Sequence, residues 1–205
     1  MSEADWVNIL IGISGIPSLV IFVLLAIRDK SLSRTYFALA IFSLLSGIAL
    51  SYVTLLPIQD LSIEWGNLLA IVFVLCALFV VIRNSKPVFA RFPLYMTGMP
   101  LLGVLFYPLI NDATVVKDLL MILYQGGALL VGILIFGINQ FILKNRTVLL
   151  VGVMILSASY ATYWFVNDEM LEAHRSISMA LLSVGMLVCS LGLKRISDKD
   201  QTNKN

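Results

Sequence analysis

Charge is scarce in this chain. Asp, Glu, Lys and Arg make up 13% of the 205 residues and apolar types 60%, whereas soluble domains run near about 25% and about 45–50%. A water-soluble fold of this length exposes too much of its surface to hide so much apolar side chain. Histidine is represented by His174 alone, and cysteine by Cys76 and Cys189, both within apolar runs. A zinc site needs several such ligands converging, and an extracellular framework needs cysteines outside apolar runs, so neither is expected. No P-loop, Gly-x-Ser-x-Gly elbow or dinucleotide fingerprint is present. No catalytic residue, metal or cofactor is therefore assigned, and enzyme is the weaker class. Nucleic acid is not an expected partner either. The opening Met-Ser-Glu-Ala-Asp lacks the basic stretch of a cleavable signal, so the first helix is expected to insert as it stands.

What fills the chain instead is long apolar runs. A bilayer core about 30 Å thick needs roughly 20 apolar residues at about 1.5 Å each. Stretches free of charge and histidine predict seven helices, at about 6–27, 35–57, 63–83, 92–111, 116–143, 147–167 and 174–193. The shortest charge-free cores, 65–82 and 176–193, still hold 18 residues. Strands of a membrane barrel would be about 10 residues long and alternate in polarity; these runs do neither. The expectation is an all-α integral membrane protein, a single seven-helix bundle over residues 1–193. Residues 194–205 are a short polar tail, expected to be disordered.

Lysine and arginine set the orientation. With the N-terminus outside, the inner side holds Arg28, Lys30, Arg34, Arg83, Lys86, Arg91, Lys144, Arg146, Lys194, Arg195, Lys199 and Lys204. The outer side holds only Lys117 and Arg175. That bias predicts an outside N-terminus and an inside C-terminus, in the cell (inner) membrane of a multi-pass protein.

Small residues recur where helices would meet. Ala40, Ser43, Gly47 and Ser51 share one face of the second helix, Ser14 and Ser18 one face of the first. Ser176, Ser183 and Ser190 recur every seven residues on the last. Small side chains allow close packing where lipid gives no hydrophobic drive. Pro17, Pro100 and Pro108 are expected to kink helices 1 and 4. Proline placement differs between helices 1–3 and 5–7, so no repeat-built transporter is indicated.

No ionisable residue falls well inside any predicted span, which argues against a proton pump or a carboxylate-coupled carrier. Neutral polar aromatics are plentiful by contrast. Tyr52, Tyr107, Tyr160, Tyr163 and Trp164 fall in the outer halves of helices 2, 4 and 6, and helix 5 carries Tyr124-Gln125-Gly126-Gly127 well inside the membrane. On helix 6, Ser157, Tyr160 and Trp164 share a face, with Ser159, Tyr163 and Asn167 beside it. One reading is an outward-open pocket lined by helices 2, 4, 5 and 6. The plainer reading makes Trp6, Trp65 and Trp164 an outer interfacial belt and Tyr36 and Tyr95 an inner one. Tyr124 and Gln125 lie too deep for a belt and are either interhelical hydrogen-bonders or ligand contacts. Gly126-Gly127 reads more readily as close packing than as a hinge.

The layout is similar to that of rhodopsins in topology alone. Residues 176–193 hold no lysine for a Schiff base, so no retinal is expected. A charge-free interior suits an uncharged ligand held by a few hydrogen bonds. The function expected is therefore a non-enzymatic ligand-binding or sensory protein holding a neutral or lipophilic molecule in its outer half. Signalling would pass through a partner membrane or signalling protein. A small transporter or channel for an uncharged solute, and a structural subunit of a larger membrane complex, are the alternatives.

Overall fold

Backbone N–H and C=O groups in lipid have no water to bond, so an apolar run can cross only as a helix that bonds itself. The computed structural model describes residues 3–53, 58–85, 90–106, 114–143, 147–165 and 171–202. An α-helix stands at each of the seven apolar runs: α1 (Glu3–Asp29), α2 (Leu32–Val53), α3 (Ile58–Ser85), α4 (Pro100–Phe106), α5 (Thr114–Leu143), α6 (Thr147–Phe165) and α7 (Leu171–Thr202). Among the described residues, five stretches are long and apolar enough to cross a membrane: Ile9–Asp29, Leu32–Val53, Trp65–Asn84, Val116–Ile135 and Thr147–Trp164. Large apolar side chains such as Ile13, Leu24, Ile27, Leu123 and Met154 lie exposed along them. So much exposed apolar surface is tolerable only with lipid outside.

Helix ends depart from the charge-free runs for local reasons. α1 continues unbroken through Pro17 and stops at Asp29, where Lys30 turns to φ 45°. A residue in the left-handed region closes many helices in this way. The carbonyl of Ser31 then accepts the first bond of α2, from the Thr35 N–H at 3.1 Å. α3 begins at Ile58, before the predicted start, and so places Asp60 and Glu64 in its opening turns, where the helix dipole favours acids. α7 runs to Thr202, past residue 193 where the last span was expected to give way to a disordered tail. Residues 194–202 contain neither glycine nor proline to stop it.

The fourth run is the clearest departure from expectation. In place of one helix over 92–111, a 3-10 turn (Leu94–Gly98) leads into the short α4. Met96 N–H bonds to Pro93 O, Met99 to Met96 O and Leu102 to Met99 O, all three residues apart. Pro93 and Pro100 supply no N–H, so the four-residue ladder cannot be continued through them. Pro108 lies outside the described residues.

The helices group into two compact units, although the sequence shows no boundary between them. The central unit is Ala26–Ala128, and the terminal unit joins Met1–Leu25 to Leu129–Asn205. In the central unit, α2 and α3 form an antiparallel hairpin that crosses at Gly47 and Gly66. A Cβ on Gly66 would lie 2.8 Å from Gly47 Cα and 2.9 Å from Ser43 O, so backbone rests on backbone. The predicted small face is the buried one, with Ala40, Ser43, Gly47 and Ser51 all inside. Leu68, Val72, Cys76 and Val104 make the core beside it.

In the terminal unit, α6 and α7 run antiparallel with three glycine contacts in register. Gly152 faces Cys189, Leu156 faces Gly185, and Leu149 faces Gly192. Ser159 Oγ donates to Ser178 O at 2.7 Å while Ser178 Oγ donates to Ser159 O at 2.8 Å. The α1 stripe meets α7 through a hydrogen bond between the Ser14 and Ser183 hydroxyls. Ser18 and Ser190 are fully buried, each bonding a carbonyl of its own helix. The side chain of Ser176 lies outside the described residues.

Candidate functional site

Tyr124 has the most defined setting of the sequence-predicted site residues. It stands on α5 in the central unit, and its hydroxyl donates to the Pro100 carbonyl at 3.0 Å. Its ring lies over Gly103, where an added Cβ would come within 2.9 Å of Tyr124 Cζ. The ring also packs against the Leu68–Val72–Cys76–Val104 core. Of the two roles open to Tyr124, the structure shows the interhelical hydrogen bond. Proline and tyrosine act together here: the turn that Pro100 forces is held to α5 by the hydroxyl. Gly103 is the residue sequence reading missed. Its signal was a glycine one turn into the helix that Pro100 opens, opposite a deep tyrosine.

Gln125 follows on α5 and is half-buried. Of the Gly126-Gly127 pair expected to pack closely, Gly127 shows no such packing. A Cβ at Gly127 or Gly132 would meet no atom of the described residues within 4 Å. Tyr52, near the end of α2, is 62% exposed. Tyr107 and Asn167 lie outside the described residues.

The remaining candidates belong to the terminal unit. Tyr160, Tyr163 and Trp164 are half-buried on the last turns of α6. The Tyr163 and Trp164 rings meet edge to face, with centroids 4.8 Å apart. That is a favoured aromatic geometry and gives α6 a rigid apolar corner with a phenol O–H and an indole N–H on it. The two flanking serines are committed to structure. Ser157 Oγ donates to Val153 O at 2.9 Å on its own helix, and Ser159 is spent on Ser178. Tyr52, Tyr124 and Gln125 thus fall in one unit and Tyr160, Tyr163 and Trp164 in the other.

The belt residues divide as well. Trp6 at 62% and Tyr95 at 80% are exposed, as an interface position requires. Trp65 and Tyr36 instead pack against the central core, and Tyr36 stacks on Phe73 with centroids 6.2 Å apart. The close α2–α3 crossing draws both inward. Cys76 is fully buried in that core, and Cys189 lies against Gly152 in the terminal unit. His174 falls in the first turn of α7, and its side chain lies outside the described residues. Among the described residues, no three of His, Cys, Asp or Glu converge as a metal site would need.

Helices throughout, an exposed apolar exterior and five membrane-length spans define the class: this is an all-α, multi-pass membrane protein. No protein-family model matches the chain, and no curated protein or solved structure matches it either.

Proposed function

We propose that the protein is a seven-span sensory or ligand-binding protein of the cell (inner) membrane, with its N-terminus outside. Five spans are those of membrane length; the 3-10 turn with α4, and α7, complete the seven. The basic residues gathered on one set of connections support the orientation. The ligand is an uncharged lipophilic molecule, and its action passes to a partner protein. The observation that carries this reading is the edge-to-face corner of Tyr163 and Trp164, with Tyr160 one turn back, on a span without charge. Rigid aromatics with one polar edge apiece suit such a ligand. Gln125 and Tyr52 are the second place to look, while the Tyr124 hydroxyl serves the fold.

Native mass spectrometry of gently extracted protein tests this. A stoichiometric small-molecule adduct is expected, reduced by Tyr163→Ala with Trp164→Ala while the thermal midpoint stays near that of the parent. A bare chain seen only with other polypeptides would overturn the ligand reading in favour of a complex subunit. A transporter or channel for an uncharged solute is the second reading, favoured by the open space at Gly127. Solute flux in liposomes separates it, since a sensor passes none.

A further inference from the structure

Charge is concentrated at one end of the central unit. The α2–α3 hairpin is antiparallel, so the start of α2 and the end of α3 lie together. Arg83 Nε, at the end of α3, donates to Phe92 O at 2.8 Å and ties the Arg91–Phe92 stretch to the same end. The Tyr36 hydroxyl is 3.9 Å from where a Gly98 Cβ would stand, which brings the 3-10 turn to the start of α2. Arg28, Lys30, Arg34, Arg83 and Arg91 therefore share one end with a single described carboxylate, Asp29. That carboxylate is already engaged, by Arg28 at 3.2 Å and by Arg34.

Two observations mark this end as more than a solvated charge run. The first is Lys30. Its φ of 45° is the left-handed conformation, which glycine or asparagine adopts at little cost and other residues do not. An exposed lysine with no ion pair among the described residues occupies the position instead. The cap of α1 thus presents an exposed cation at this end. The second is the apolar ledge beside Arg91. Phe92, Leu94 and Tyr95 are all exposed, on a turn held by Arg83, and aromatics at this level sit among lipid headgroups. Cations next to exposed interfacial aromatics are matched by a lipid that brings a phosphate and acyl chains together.

We propose that this end binds the headgroup of an anionic phospholipid, with Lys30 and Arg91 on the phosphate and the Phe92–Tyr95 ledge against the upper acyl chains. The site stands apart from the ligand reading above, and rests only on which residues share an end. In the proposed orientation the lipid is one of the inner leaflet.

Native mass spectrometry of the full chain tests it, with equal phosphatidylglycerol and phosphatidylcholine of the same chain length supplied in detergent. The parent protein should retain phosphatidylglycerol in preference. Lys30→Gln and Arg91→Gln should each lower the ratio of the two bound lipids by about fivefold, and Lys30→Arg should keep it. Lys30→Gly relieves the backbone yet removes the charge, so it should lose the preference while melting no lower than the parent. Lys117→Gln, a cation from another part of the unit, should change nothing. An unchanged ratio in Lys30→Gln and Arg91→Gln overturns the proposal. So does displacement of the lipid by millimolar inorganic phosphate, which would mark a site for a free anion.

Discussion

In the α2–α3 hairpin, backbone meets backbone. Gly47 and Gly66 face each other with only hydrogen where side chains would be, and Ser62 and Ser43 line the same contact through their carbonyls. In the α6–α7 hairpin backbone and side chain share the contact: Gly152 meets Cys189 Sγ and N, Gly192 meets Leu149 N and Cα, and Gly185 meets chiefly the Leu156 side chain. Its end nearest the α6–α7 connection is fastened by the reciprocal Ser159–Ser178 bonds. Helices in lipid gain nothing by hiding apolar surface from one another, and associate by close contact and by hydrogen bonds. The first hairpin joins that contact to a long hydrogen bond of 3.4 Å from Ser62 Oγ to Gly47 O. The second divides the task between fitted side chains and serine bonds. A fit of backbone on backbone has nothing that can rotate away, whereas the Leu156 side chain against Gly185 has.

The sharpest break of that comparison is a methyl group in each hairpin. Gly66→Ala is expected to lower stability by about 2–3 kcal/mol, despite the gain of about 1 kcal/mol from alanine's helix propensity. Gly185→Ala meets mainly the Leu156 side chain, at 2.8 Å from Cδ2, and should cost about 1 kcal/mol. Adding Leu156→Ala should change that cost by relieving the overlap. Thermal unfolding in detergent measures both, and equal losses at Gly66 and Gly185 would erase the distinction.

Ser159→Ala ranks next, at about 0.6 to 1.7 kcal/mol. Removing Ser178 as well should add little, because the two hydroxyls serve one clasp. Full additivity in the double-mutant cycle would show them acting separately. The smallest effect is expected at Gly127, where an added methyl meets no described atom within 4 Å. Gly127→Ala should leave the unfolding midpoint unchanged or raise stability by up to about 1 kcal/mol. A clear loss there would mean that the position is packed.

Much of the helical layout was legible because lipid penalises every other backbone conformation. The faces of single helices were legible too: Ala40, Ser43, Gly47 and Ser51 are buried together, and Ser14 meets Ser183. Which face meets which partner was not. In water a helix betrays its inner side by contrast with a polar outer side. Here Ile13 and Leu24 look outward and Ile11 and Phe22 inward, and their chemistry is the same. Gly66 therefore gave no sign of its partner, and Trp65 read as a belt residue until its neighbour's close crossing placed it on the core. The 3-10 turn escaped because the run 92–111 has the hydropathy of a span, and Pro93 and Pro100 are what breaks it there. Of the candidate site, the residue types were legible, while the commitment of the Tyr124 hydroxyl to Pro100 depended on a neighbour 24 residues away.

The serine clasp has a consequence for the order in which the terminal hairpin assembles. Ser159 and Ser178 are 19 residues apart along the chain, closer than Leu156 and Gly185, Gly152 and Cys189, or Leu149 and Gly192. The entropy lost in closing a loop grows with its length, so the serine pair is the cheapest of these meetings to make. Once it has formed, each glycine contact further from the connection extends a loop already shut. Assembly is therefore expected to start at the Ser159–Ser178 end and run toward Gly192.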